Sequence, residues 1–245
     1  MFPKILACVA LFLLFVCFSE PAFAGPGGKI ASAVFDTFLG KIVLGLLTIF
    51  FLPLILLMVF REKMAERRSR KDLKFMAKHH SNFDWLMLKH RAKDCFMKVH
   101  SGWENEDLSE VSDWMTDWYW QNQQMAYLNR WQEEGLVNIC KVKKINYIRP
   151  VLFVHRNDHG ETHEGSMIMI AIEARMKDYL QERHTSKVVE GSKRFKDIET
   201  VWTLIIDHGK WKVADIEEGA MTQSYSKMMK DLPKIESTLL SQSAL

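Results

Sequence analysis

Residues 42–60 (IVLGLLTIFFLPLILLMVF) form a nineteen-residue run without a single charged side chain. A helix rises about 1.5 Å per residue, so such a run nearly matches a hydrocarbon core roughly 30 Å thick. One membrane crossing is therefore the expected conformation, and the rest of the chain has to be arranged around it. Pro53 removes one backbone donor, a loss that spanning helices tolerate when neighbours re-satisfy the freed carbonyl. A buried core helix or an interfacial segment is the competing reading of the same composition.

Charge supports the crossing and sets its direction. The chain carries 33 basic and 30 acidic residues, but residues 61–74 (REKMAERRSRKDLK) alone hold seven basic and three acidic groups. Beyond them 23 basic residues face 25 acidic ones, so the soluble part is not basic and a nucleic-acid partner is not expected. The cluster Arg61, Lys63, Arg67, Arg68, Arg70 and Lys71 follows the apolar run directly, and Lys/Arg excess beside a span marks the cytoplasmic side. The same cluster offers contact with anionic lipid headgroups, at about 1 kcal/mol per basic residue near the surface. Residues 5–18 are a shorter apolar run after Lys4, followed by Pro21-Ala22-Phe23-Ala24-Gly25. That combination reads as a signal peptide over residues 1–24 with a small-residue cleavage site, leaving residues 25–41 as a short extracytoplasmic segment. Cys95 and Cys140 are the only cysteines of the body, without metal-type spacing, which fits a reducing compartment.

Residues 75–220 read as one α+β domain: N-terminal helices on a curved antiparallel sheet of about four strands. Ser81 offers an N-cap hydroxyl with the acid Asp84 three residues later, and Trp85, Leu88, Ala92, Phe96, Val99 and Trp103 then recur at helical steps. Further helix extends to Gly135. Strands are expected over Ile145–Val154, Ser166–Leu180 and Arg194–Ile206, the second and third alternating apolar and polar residues. Asp207-His208-Gly209-Lys210 is hairpin-turn chemistry leading into a fourth strand, Trp211–Ile216. Residues 221–245 read as a loosely attached C-terminal helix or tail.

The segments Phe83-Asp84-Trp85-Leu86, Trp103–Leu108, Gly135-Leu136-Val137-Asn138 and the pair Glu199–Leu204 with Trp211–Ile216 together resemble the Tim44-like domain. It is the domain of the mitochondrial import-motor anchor and of bacterial membrane-anchored relatives, within the nuclear-transport-factor-two-like superfamily. The resemblance implies a cone-shaped fold and a non-enzymatic module at the bacterial inner membrane. That module would bind a protein or peptide partner, in protein translocation or membrane-complex assembly, with no cofactor. An apolar-ligand or enzymatic domain of the same fold, and a secretion-apparatus subunit with a periplasmic domain, are the alternatives.

The candidate sites follow from this outline. Ile170, Ile172, Trp202 and Leu204 would line an apolar hollow inside the cone. Trp114 and Trp118 are one helical turn apart and expected inward, which leaves Tyr119 and Trp120 as a partner patch. His155, Asp158, His159 and His163 have metal-ligating side chains but stand in turn chemistry between two strands, where they would not share a face, so no metal site is assigned. Asp178, Asp84 and His100 are the conceivable general bases. No paired carboxylates, nucleophile elbow or phosphate loop accompanies them, and no catalytic residue is assigned.

Overall fold

A computed structural model describes residues 37–156 and 163–235. The chain divides into two units, Met1–Phe60 and Arg61–Leu245. The described part of the first is apolar helix: α1 spans Phe38–Met76 and by length and composition can cross a membrane. Few residues of its apolar window are buried, with Phe50 and Phe60 among the exposed ones. A buried core helix is therefore not what this run forms. The expected signal peptide and most of the expected segment 25–41 lie outside the described residues.

The second unit begins at Arg61, earlier than the domain start expected at residue 75. The reason is that residues 61–76 are amphipathic. Ala65, Ser69, Asp72, Leu73 and Met76 recur at three- and four-residue steps and are buried, so this stretch is the domain's first helical layer as well as a basic segment. Asp84 caps α2 (Trp85–Glu104), its carboxylate accepting from the amides of Leu86 at 2.9 Å and Met87 at 3.1 Å. A 3-10 segment at Ser109–Trp114 and two short α-helices follow, α3 over Asp117–Gln123 and α4 over Arg130–Glu133, joined by a π-type turn at Gln124–Asn129.

Four strands form an antiparallel meander in the order β1 (Leu136–Val154), β2 (Met167–Glu182), β3 (Val188–Asp207), β4 (Lys210–Glu218). The β3–β4 turn has His208 and Gly209 at φ 51° and 73°, the two left-handed positions that a twisted hairpin demands. Pro150 sits at a register shift in β1, an edge strand, where its missing N–H costs least. Bulges in β1 and β2 bend the sheet.

β2 is buried on both faces. Ile168, Ile170, Ile172 and Ala174 join Leu88, Ala92, Phe96 and Val99 of α2 in the main core, whereas Met169 belongs to a second cluster with Ala65, Leu152, Val201 and Met229. The back face of the sheet is thus covered by the start of the domain and by α5 (Met221–Met228). The described part of the C-terminal segment, residues 221–235, is held against the domain: Met229 and Ile235 are buried, and Arg68 donates to the carbonyls of Met229 and Leu232 at 2.6 Å and of Pro233 at 3.0 Å; residues 236–245 lie outside the described residues.

Candidate functional site

The sheet is longer than the layers that cover it. β4 pairs only with Thr200–Asp207 of β3, so the opposite ends of β1, β2 and β3 extend past it. There Asn138 pairs with Leu180, Leu180 with Glu190, and Asp178 with both Cys140 and Ser192. Side chains alternate between faces along a strand, which sets Asn138, Asp178, Leu180 and Glu190 on one face. Above them stand Trp103 at the end of α2 and Gln123, Tyr127, Arg130 and Trp131 along α3–α4. The space between is a cleft of about 360 Å³.

Its walls are fixed by polar contacts. Gln124 accepts from the Leu108 amide at 2.9 Å and donates to Asn129 at 2.9 Å, and Arg183 at the end of the β2 strand pairs with Glu106. Gly135, at φ 68°, ends the helical layer and admits the turn into β1. Gly191 is required in the floor: at φ 80°, a Cβ there would stand 2.4 Å from the Asp178 carbonyl oxygen.

Asp178 is the chemically distinctive group. Its side chain opens to the cleft, yet the surrounding walls strip enough water to push its carboxyl above the usual range. The negative charge of Glu190 adds to this, and a hydrogen bond from Asn138 opposes it. Arg130, the cation of the lining, is ion-paired with Glu134 at 3.6 Å. Tyr127 and Trp131 have ring centroids 5.7 Å apart.

Most residues singled out in the sequence lie elsewhere. Ile170, Ile172, Trp202 and Leu204 are fully buried. The hollow expected between them is filled, because the Phe96 and His100 rings stand 5.1 and 5.7 Å from Trp202. Tyr119 is buried and Trp120 half-buried, while Trp118 is 70% exposed. Met115 bridges Val213 and the Thr116 amide donates to the Val213 carbonyl at 2.9 Å. This extended step restarts the helix at Asp117, so Trp114 and Trp118 are not on one continuous face.

His100 is a core residue whose Nδ1 lies 2.7 Å from the Phe96 carbonyl; burial lowers its pKa to about 4. Cys95 and Cys140 are buried, and loss of water pushes the Cys95 thiol up to about 12 and that of Cys140 higher still. His155 Nε2 and His163 Nδ1 are 2.9 Å apart; Asp158 and His159 lie outside the described residues. Among the described residues no His, Cys, Asp or Glu group is arranged to hold a metal ion.

Of the basic cluster, Arg68 holds the C-terminal segment, while Arg70 and Lys63 pair with Glu66 at 3.0 and 3.3 Å. Arg70 also lies over the Trp85 ring. Lys63, Arg67, Arg70 and Lys71 are all exposed on the α1 surface, with Arg61 and Arg68 half-buried.

The family model of the Tim44-like domain matches residues 69–218. No curated protein matches the chain. Among solved structures, the intermembrane space region of the chloroplast protein ARC6 is similar at 8% identity and a TM-score of 0.37. That match covers 53% of this chain and 95% of the ARC6 chain.

Proposed function

For a chain that belongs to the Tim44-like domain family, we propose the role of a membrane-anchored scaffold that binds a polypeptide at the membrane surface, in protein translocation or membrane-complex assembly. One observation carries this reading: the domain holds an open cleft with aromatic walls and a carboxylate floor, and the same chain contains a helix able to cross a bilayer. Anchoring confines the domain to the membrane plane, which raises the effective concentration of anything it binds there. The basic stretch after residue 60 supports a bacterial inner-membrane protein with its domain in the cytoplasm. Lys63, Arg67, Arg70 and Lys71, exposed on α1, are the residues placed to meet anionic headgroups.

Site-specific photocrosslinking in cells tests the proposal. A crosslinker at Gln123, in the cleft wall, should give polypeptide adducts that weaken when residues 42–60 are deleted. A crosslinker at Lys210, at the β3–β4 turn, should not give them. Equal adducts from both positions, or none from Gln123, would defeat the reading. Orientation is read separately with an engineered Lys89→Cys on the exposed face of α2, since Cys95 and Cys140 are buried. Labelling by an impermeant reagent only after the cells are opened is the expected outcome, and labelling of intact cells would assign the domain to the periplasm.

A further inference from the structure

We propose that the cleft over Asp178 is a receptor for a basic side chain, lysine or arginine, presented by the bound polypeptide. The proposal rests on the polypeptide-binding reading for its source, but its argument is the chemistry of the lining.

The cleft, at about 360 Å³, is within the size of small-ligand pockets and far larger than one water requires. Two of its lining residues are acids, Asp178 and Glu190, and its cation, Arg130, is already paired with Glu134. No lysine or arginine ion-pairs with Asp178 or Glu190 among the described residues; the nearby Lys193 ammonium lies instead over the Tyr179 ring at 5.8 Å. The Asp178 carboxylate therefore loses part of its water beside the negative charge of Glu190, an arrangement that an incoming cation relieves and an anion worsens. An apolar group would cover the carboxylates without pairing them, at the cost of burying unsatisfied charge.

The remaining walls suit the same guest. Trp103, Tyr127 and Trp131 supply aromatic surface around the acids, and aromatic faces attract ammonium and guanidinium groups while accepting the methylene stem of the side chain. Asn138 of β1, on the same face as Asp178, favours the charged carboxylate that the guest would meet.

The test uses the full-length protein in detergent micelles and four capped pentapeptides, Gly-Gly-X-Gly-Gly, in which X is lysine, arginine, norleucine or glutamate. Cadaverine serves as a free amine. Indole fluorescence reports binding, since Trp103 and Trp131 line the cleft. Lysine and arginine peptides should bind about tenfold or more tightly than the norleucine peptide, with glutamate weakest, as expected for one charged hydrogen bond plus a cation–aromatic contact. Asp178→Asn should remove most of that preference at an unchanged unfolding midpoint, and Glu190→Gln should remove part of it. Should Asp178→Asn fail to fold, Glu190→Gln and the lysine–norleucine comparison on the unmodified protein still decide. Equal binding of lysine and norleucine peptides overturns the cation receptor but leaves polypeptide binding standing. Cadaverine binding as tightly as the lysine peptide upholds the cation site and removes the polypeptide reading. No binding by any of them defeats both.

Discussion

Burial of His100 makes the stability of this domain sensitive to mild acid. The imidazole sits in the core between Phe96, Trp103 and Trp202, with centroids 4.1, 5.4 and 5.7 Å away, and its Nδ1–H donates to the Phe96 carbonyl in the neutral form. Loss of water around it lowers its pKa from 6.5 to about 4. In the unfolded chain the same ring titrates near its ordinary value. Above pH 6.5 both states hold a neutral ring and the term is zero. As pH falls from 6.5 to 4 the unfolded state gains a proton that the folded state refuses, so stability falls by about 1.4 kcal/mol per unit. Between pH 7 and 4.5 the loss amounts to roughly 2–3 kcal/mol, a large share of the 5–15 kcal/mol typical of a domain. Urea unfolding of the full-length protein in micelles, followed by tryptophan fluorescence at a series of pH values, measures it. His100→Phe keeps an aromatic ring in the site and removes the proton, so its stability should decline less over this interval by that amount, carboxylates being common to both proteins. Parallel pH profiles for the two, or an imidazole that titrates near 6.5 in the folded protein by NMR, would refute the reasoning.

Other expectations rest on single contacts. Arg68→Met removes the donors that hold the carbonyls of Met229, Leu232 and Pro233. It should cost about 2 kcal/mol, read as faster amide exchange and earlier protease cleavage in residues 221–235. Gly191→Ala forces a Cβ within 2.4 Å of the Asp178 carbonyl at φ 80°, which should lower stability by roughly 1–3 kcal/mol or more and weaken lysine-peptide binding as β2 and β3 part at the cleft floor. Tyr119→Ala, in the core, should cost about 3 kcal/mol or more. Trp118→Ala should change the thermal midpoint little, within about 0.5 kcal/mol, because that ring is 70% exposed.

Where the chain follows one periodicity without interruption, the fold is legible from its residues. The β3–β4 hairpin is visible in the alternation through Trp202, Leu204 and Ile206 and in the Asp-His-Gly-Lys turn, whose φ values match the chemistry. The start of α2 is visible because Asp84 is followed by an apolar stripe. The aromatic segment misleads because one β-type residue step at Met115–Thr116 shifts the helical phase, and no residue type at those positions announces the step. The filled hollow has a similar cause: alternation reveals which side chains point inward on the sheet, but not that His100 comes down from α2 to occupy the space above Trp202. A histidine next to Phe96 and Val99 in an otherwise apolar stripe is the one signal of it.

The cleft was hardest to see for a reason that bears on its role. β1 begins at Leu136 and β3 at Val188, well before the strands expected from Ile145 and Arg194. The overlooked parts contain Asn138, Glu190 and Gly191, and the break in the β2 pattern after Met176 is Asp178. Each is polar or glycine at a position where a sheet covered by helices would carry an apolar side chain. A strand whose only duty is packing keeps its alternation to the end, whereas one that lines an open site loses it at the residues facing that site. Asn138, Asp178 and Glu190, three polar residues brought to one face from three strands, favour a site retained for its chemistry over the fraying of a sheet edge.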